Sequence, residues 1–176
     1  MRIITFAGMP GSGKSCAARD LAAQLSCKWA DLDAEVESRA GKSIARIFAE
    51  DGEAAFRALE KDTLQDILSK YPTQRAENCG RCPFGPDALP DDSIVLSLGG
   101  GTLQDPENLA LVRDHTWCIW LDTPLDVIAE RLWVQGDIGK RPLLASAKTK
   151  KELEELLKSI YESRKPAYHA AAKEVR

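Results

Sequence analysis

Long apolar runs are missing from this chain, and no stretch approaches the roughly eighteen residues that a membrane-spanning helix needs. An excess of one charge is missing too. The 24 Lys and Arg stand against 27 Asp and Glu, a net −3, which argues against a mainly electrostatic binder of nucleic acid or membrane surfaces. An anionic ligand must therefore be met by local positive charge. Histidine is scarce, with only His115 and His169, and the five cysteines (Cys16, Cys27, Cys79, Cys82, Cys118) are odd in number and scattered. That is unlike the dense, even framework of a disulfide-stapled secreted domain, so reduced thiols are expected. The first residues run straight into a strand-like segment without a basic stretch ahead of a long apolar one, which predicts a soluble cytoplasmic chain. With 176 residues, one globular domain is expected.

The apolar run Ile3 to Ala7 ends in glycine and precedes a helix-period segment from Lys14 to Leu25, giving strand, Gly-rich turn, helix. A short strand over Lys28 to Leu32 follows, then helical segments through Tyr71 with Phe48, Phe56, Leu59, Leu64 and Leu68 as their apolar face. Residues 72–92 collect four prolines and read as a loop insertion. Ile94 to Leu98 and Trp117 to Leu121 read as buried parallel strands, each leading to a proline-started helix, and about Lys150 to Ala172 as a long helix. Strands alternating with helices predict an α/β fold, a parallel sheet with helices on both faces.

Gly8-Met9-Pro10-Gly11-Ser12-Gly13-Lys14-Ser15 fits the pattern G-x-x-x-x-G-K-[ST] between a predicted strand and a predicted helix. Such a loop curls so that backbone N–H groups and the helix N-terminus face phosphate oxygens. Lys14 is expected to reach the β- and γ-phosphates, and the Ser15 hydroxyl to ligate Mg²⁺. The pattern marks a nucleotide site and leaves the acceptor open.

Acceptor chemistry has to come from elsewhere in the chain. Asp31-Leu32-Asp33 lies at the predicted end of the second strand, where both carboxylates face one way if the backbone is extended. One suits a magnesium ion and the other a substrate hydroxyl, although Asp33 equally suits a helix N-cap. Arg57 and Glu60 share a helix face, as a surface ion pair would. Gly99, Gly100 and Gly101 open the backbone to a bound acid or form a flexible loop. Arg141 follows a lid-like polar segment, and Arg164 carries a fork that fits a carboxylate; each alone equally suits a solvent-facing arginine.

In order along the chain, the phosphate loop, Asp31-x-Asp33, Gly52-Glu53-x-x-Phe56-Arg57-x-x-Glu60, Gly99-Gly100-Gly101, Arg141-Pro142-Leu143-Leu144 and Tyr161-x-x-Arg164-x-Pro166-x-Tyr168 resemble the motifs of shikimate kinases. The resemblance covers about 1–71 and 93–170. It implies a three-layer α/β/α P-loop kinase with sheet order 2-3-1-4-5, a shikimate-binding helical region over 33–71 and a lid over about 133–149. It further implies transfer of the γ-phosphate of ATP to the 3-hydroxyl of shikimate, with Mg²⁺, on the route to aromatic amino acids. By the same resemblance, Gly11, Ser12, Gly13, Lys14, Ser15 and Cys16 hold the phosphates, Arg131 lies near adenine, and Lys14 and Arg141 contact the transferred group. Ser15 and Asp31 face the metal. Asp33, Arg57, Gly99, Gly100, Gly101 and Arg164 bind shikimate, with Asp33 also the base. A monomer is expected, with no nucleic-acid or membrane partner.

Two features depart from the family pattern. Cys79-Gly80-Arg81-Cys82 falls within the 72–92 insertion, and with no second C-x-x-C the reading is an exposed loop with two free thiols rather than a zinc site. The chain also stops at Arg176, so the last strand is expected to be short or missing. Rival readings are a gluconate or nucleoside-monophosphate kinase, and a non-catalytic nucleotide-binding module. The arginines matched to a carboxylate argue against the first. Retention of Lys14, Asp33 and Arg141 argues against the second.

Overall fold

The structure, a computed structural model, describes residues 3–71, 93–136, 138 and 143–176. The 72–92 segment with Cys79 and Cys82, part of the 133–149 segment and Arg141 lie outside the described residues. The elements run β1 (Ile3–Gly8), α1 (Lys14–Gln24), β2 (Lys28–Asp31), α2 (Leu32–Ala40), α3 (Ile44–Glu50), α4 (Gly52–Ser69), β3 (Ile94–Ser97), α5 (Pro106–His115), β4 (Trp117–Leu121), α6 (Leu125–Gln135), α7 (Lys150–Ala171) and β5 (Glu174–Val175). The five strands form one parallel sheet in the order β2-β3-β1-β4-β5, as expected.

β1 is buried at every residue, which is why it reads as a continuous apolar run rather than an alternating one. Side chains alternate between the two faces. Ile4, Phe6, Val95 and Ile119 pack on Ala18 and Ala22 of α1, whereas Ile3, Ala7, Leu96 and Trp120 join the larger core built with α4 to α7. A third, small cluster of Val36, Ile47 and Phe56 holds α2, α3 and α4 together away from the sheet.

The short C-terminal strand is real but brief. Glu174 and Val175 pair in parallel with Ile119 and Trp120, and the flanking amides of Lys173 and Arg176 donate to Cys118 and Trp120 carbonyls. The second strand stops one residue earlier than the run of Lys28 to Leu32 suggests, because Asp31 caps the next helix. Its carboxylate accepts from the amides of Asp33 and Ala34. Leu32 is therefore already helical. The extended-chain argument for Asp31 and Asp33 fails for that reason, and the N-cap role belongs to Asp31, not Asp33.

Candidate active site

The loop between β1 and α1 is shaped by glycines with positive φ, Gly8 (142°), Gly11 (81°) and Gly13 (96°). At Gly8 a Cβ would lie 2.6 Å from the Leu121 carbonyl oxygen, so no side chain fits there. Gly13 is the N-cap of α1, no side chain caps that helix, and no acidic residue occupies its first turn. The α1 amides are thus left for an anion. Lys14 is buried, and its Nζ donates to the Met9 carbonyl across the loop at 2.8 Å.

Gly11, Ser12, Gly13, Lys14, Ser15 and Cys16 line a cavity of about 610 Å³, together with Asp31, Ser97 and Arg131. Parallel register places Asp31 beside Ser97 at the ends of β2 and β3. The Ser15 hydroxyl meets both, donating to Asp31 Oδ2 at 2.5 Å and lying 3.3 Å from Ser97 Oγ. Arg131, on α6, holds the loop from outside through the Gly11 and Ser12 carbonyls at 3.4 and 3.3 Å. Cys16 is exposed.

A second cavity, of about 310 Å³, lies between the α2–α4 unit and the C-terminal edge of the sheet. Phe48 and Phe56, with ring centroids 4.9 Å apart, give it an apolar wall, and Asp33, Glu37, Arg57, Glu60 and Arg164 supply the charge. Leu143 and Leu144 reach it from the segment following Arg141 in sequence. The three glycines form its floor: a Cβ on Gly101 would fall 2.9 Å from Arg57 Nη2 and 3.3 Å from Arg164 Nη2. Both guanidiniums thus occupy space that a side chain would take. Pro10, Asp33 and Gly100 line both cavities.

Arg57 is more than a surface ion pair. Its Nη1 donates at 2.8 Å to Oε2 of Glu60, a carboxylate only 1% exposed. Burial pulls the Arg57 guanidinium down, but the hydrogen bonds and charges of Glu60 and Glu53 outweigh it and leave its pKa above the usual arginine value. Its other side faces Glu53 at 3.1 Å, with that carboxylate 55% exposed. The two pairs differ in weight. An exposed pair is worth about 0–1 kcal/mol, whereas removing one partner of a buried pair costs about 3–5 kcal/mol, so Glu60 is the stronger anchor of Arg57 and Glu53 the weaker.

Arg164 is buried despite its charge, and one turn on, the Tyr168 hydroxyl donates to the Gly100 carbonyl at 2.5 Å. Burial pushes the Tyr168 phenol up to about 12. The residue patterns give Ser97 no role, and they show Glu60 only as a helix neighbour of Arg57 and Tyr168 only as a motif position. The i to i+3 spacing of Arg57 and Glu60 was visible, but the burial that makes Glu60 consequential was not.

Comparison with known proteins agrees with this geometry. The family model described as shikimate kinase matches residues 10–74 and 87–176. The shikimate kinase of Persephonella marina is 37% identical over 171 residues, 97% of this chain and 86% of that one; that of Chlorobaculum tepidum is 36% identical over 94% and 76%. Among solved structures, shikimate kinase from Acinetobacter baumannii in complex with shikimate superposes with a TM-score of 0.80 at 25% identity, covering 100% of this chain and 83% of that one. Shikimate kinase from Bacteroides thetaiotaomicron gives 0.79 at 26% identity, covering 99% and 85%. Phosphate loop, parallel sheet and two-arginine cavity thus occur together in a chain that belongs to the shikimate kinase family.

Proposed function

We propose that this chain transfers the γ-phosphate of ATP to the 3-hydroxyl of shikimate, giving 3-phosphoshikimate and ADP. The observation that carries the reading is the meeting of the two cavities at Pro10, Asp33 and Gly100. A nucleotide in one and an acid in the other would present a phosphoryl group and a hydroxyl to each other at that boundary, and in phosphoryl transfer positioning and charge stabilisation do most of the work.

In this reading Arg57 and Arg164 grip the acceptor carboxylate, with Gly101 leaving room for their planar forks. Asp33 accepts the hydroxyl proton and orients the oxygen for attack. Lys14 exchanges its Met9 carbonyl partner for phosphate oxygens. Gly11, Ser12, Gly13 and Cys16 hold the phosphates, Arg131 lies on the adenine side, and Arg141 neutralises charge on the transferred group. The Ser15 hydroxyl and Asp31 carboxylate, hydrogen-bonded to each other at the mouth of the phosphate loop, are hard oxygen ligands of the kind Mg²⁺ takes, and they would hold the ion there. When bound, that ion neutralises phosphate charge.

The same reading makes the chain a cytoplasmic monomer with ATP and shikimate as its ligands. Among the described residues no helix is long and apolar enough to cross a membrane. The test is a coupled ADP-release assay with Mg·ATP and shikimate, run beside gluconate and nucleoside monophosphates. ADP release that depends on shikimate alone supports the reading, and release with another acceptor, or with none, overturns it.

A further inference from the structure

Thr102 is wholly buried at the start of the 3₁₀ turn that follows the three glycines, and it lines neither cavity. Its hydroxyl nevertheless donates to Glu60 Oε1 at 2.6 Å, while the other oxygen of the same carboxylate accepts from Arg57 at 2.8 Å. A threonine hydroxyl has one proton to give. Here it goes to Glu60.

The donor is itself held. The Thr102 carbonyl accepts from the side-chain amide of buried Asn108 at 3.2 Å, and its N–H donates to the Gly99 carbonyl at 3.3 Å. Its β-branched side chain has few rotamers to choose from. A continuous line of contacts, buried as far as Glu60, therefore runs from α5 through Thr102 and Glu60 to Arg57.

Gly99 shows why a donor is needed at this point. The position its Cβ would occupy lies 2.7 Å from Asp33 Oδ1, 2.8 Å from Glu60 Oε1 and 2.9 Å from Thr102 Oγ1. Two carboxylate oxygens converge there, Asp33 Oδ1 and Glu60 Oε1, and like charges at short range repel. A buried carboxylate oxygen that loses its donor also carries an unmet desolvation cost. The Thr102 hydroxyl is the donor that holds Glu60 Oε1 at this point, and the same carboxylate holds Arg57 through Oε2.

We infer that Thr102 is a positioning residue for the acceptor: it sets the orientation of Glu60, and through it the angle at which Arg57 meets the substrate carboxylate. The inference rests on the shikimate kinase reading above. The test is steady-state kinetics on wild type, Thr102→Val, Thr102→Ala and Thr102→Ser, with Mg·ADP binding by calorimetry as the check on folding.

Removing a buried hydrogen bond to a charged group raises the shikimate KM roughly tenfold in Thr102→Val, or in Thr102→Ala where the valine does not fold. The ATP KM and the Mg·ADP affinity stay within about twofold of wild type, because uniform binding is lost only on the acceptor side. Thr102→Ser restores the shikimate KM to within about threefold, since it returns the hydroxyl. An unchanged shikimate KM in both hydroxyl-free variants overturns the inference. So does a parallel rise in both KM values, or failure of the serine to rescue, either of which marks a packing role. Wild type that does not turn over shikimate overturns the functional reading and this inference together, so the two failures are separately visible.

Discussion

The phosphate cradle and the acceptor cavity touch at Asp33 and Gly100, yet they are built in opposite ways. The cradle is one stretch of consecutive residues, Gly8 to Ser15, whose backbone path is set by the positive φ of Gly8, Gly11 and Gly13. The second cavity is walled mainly by side chains from α2, α3, α4 and α7, which meet over the glycine turn and Pro10 from places far apart in the chain. A backbone site tolerates change in what it binds beyond the phosphates. A side-chain site commits to the shape and charge of one acceptor, because each buried group left unpaired costs binding.

Substitution at the shared boundary has the largest expected effect. Asp33→Ala is expected to lower kcat about 10²–10⁴-fold, the usual contribution of a positioned acid or base, while ATP binding measured by calorimetry stays near wild type. Normal turnover would remove Asp33 from the chemistry.

The glycines separate the two regions more finely. In Gly8→Ala the new methyl meets the Leu121 carbonyl oxygen, a backbone atom, at a φ of 142°, so both fold stability and nucleotide affinity are expected to fall, by about 1–3 kcal/mol on a thermal or denaturant scale. In Gly101→Ala the methyl meets only the ends of two arginine side chains. There the shikimate KM is expected to rise roughly tenfold, as one charge-assisted bond is misaligned, with the melting temperature and ATP KM hardly moved. Equal losses in both assays for both variants would erase the distinction between the regions.

The smallest effect is expected at Glu53. Its exposed pairing with Arg57 is the contact a substrate would replace, so Glu53→Gln should change the shikimate KM by less than about fivefold, consistent with the small worth of exposed pairs. A loss comparable to that of Gly101→Ala would mean Glu53 holds Arg57 in place rather than yielding it.

This contrast also explains what could be read from the residues alone. The strands and the cradle are legible because each is written in consecutive residues, such as Ile3 to Ala7 or Gly8 to Ser15, whereas the order of the strands came only through the family resemblance. The 33–71 region read as helical segments without proline breaks, and the structure divides it into three helices. Gly41, left-handed at φ 66°, ends α2, and the Ser43 side chain caps α3. Those capping signals were present in the composition. Glu60 and Thr102 were not recoverable in the same way, because their importance comes from a contact across 42 residues that only the folded sheet creates.

One helix joins acceptor recognition to the stability of the whole molecule. α7 is 22 residues long, roughly 33 Å at the helical rise. It buries Leu153, Leu157 and Ala171 in the main core and carries both Arg164 and Tyr168 to the glycine turn. A ligand held by Arg164 therefore favours the native state over the unfolded one by mass action. At a concentration a hundredfold above its dissociation constant that is about 2.7 kcal/mol, or roughly 5–10 °C in melting temperature for a chain of this size. Calorimetric scanning against a panel of small hydroxylated acids would thus rank acceptors without any turnover, and an acid that leaves the transition where it was is not one this helix holds.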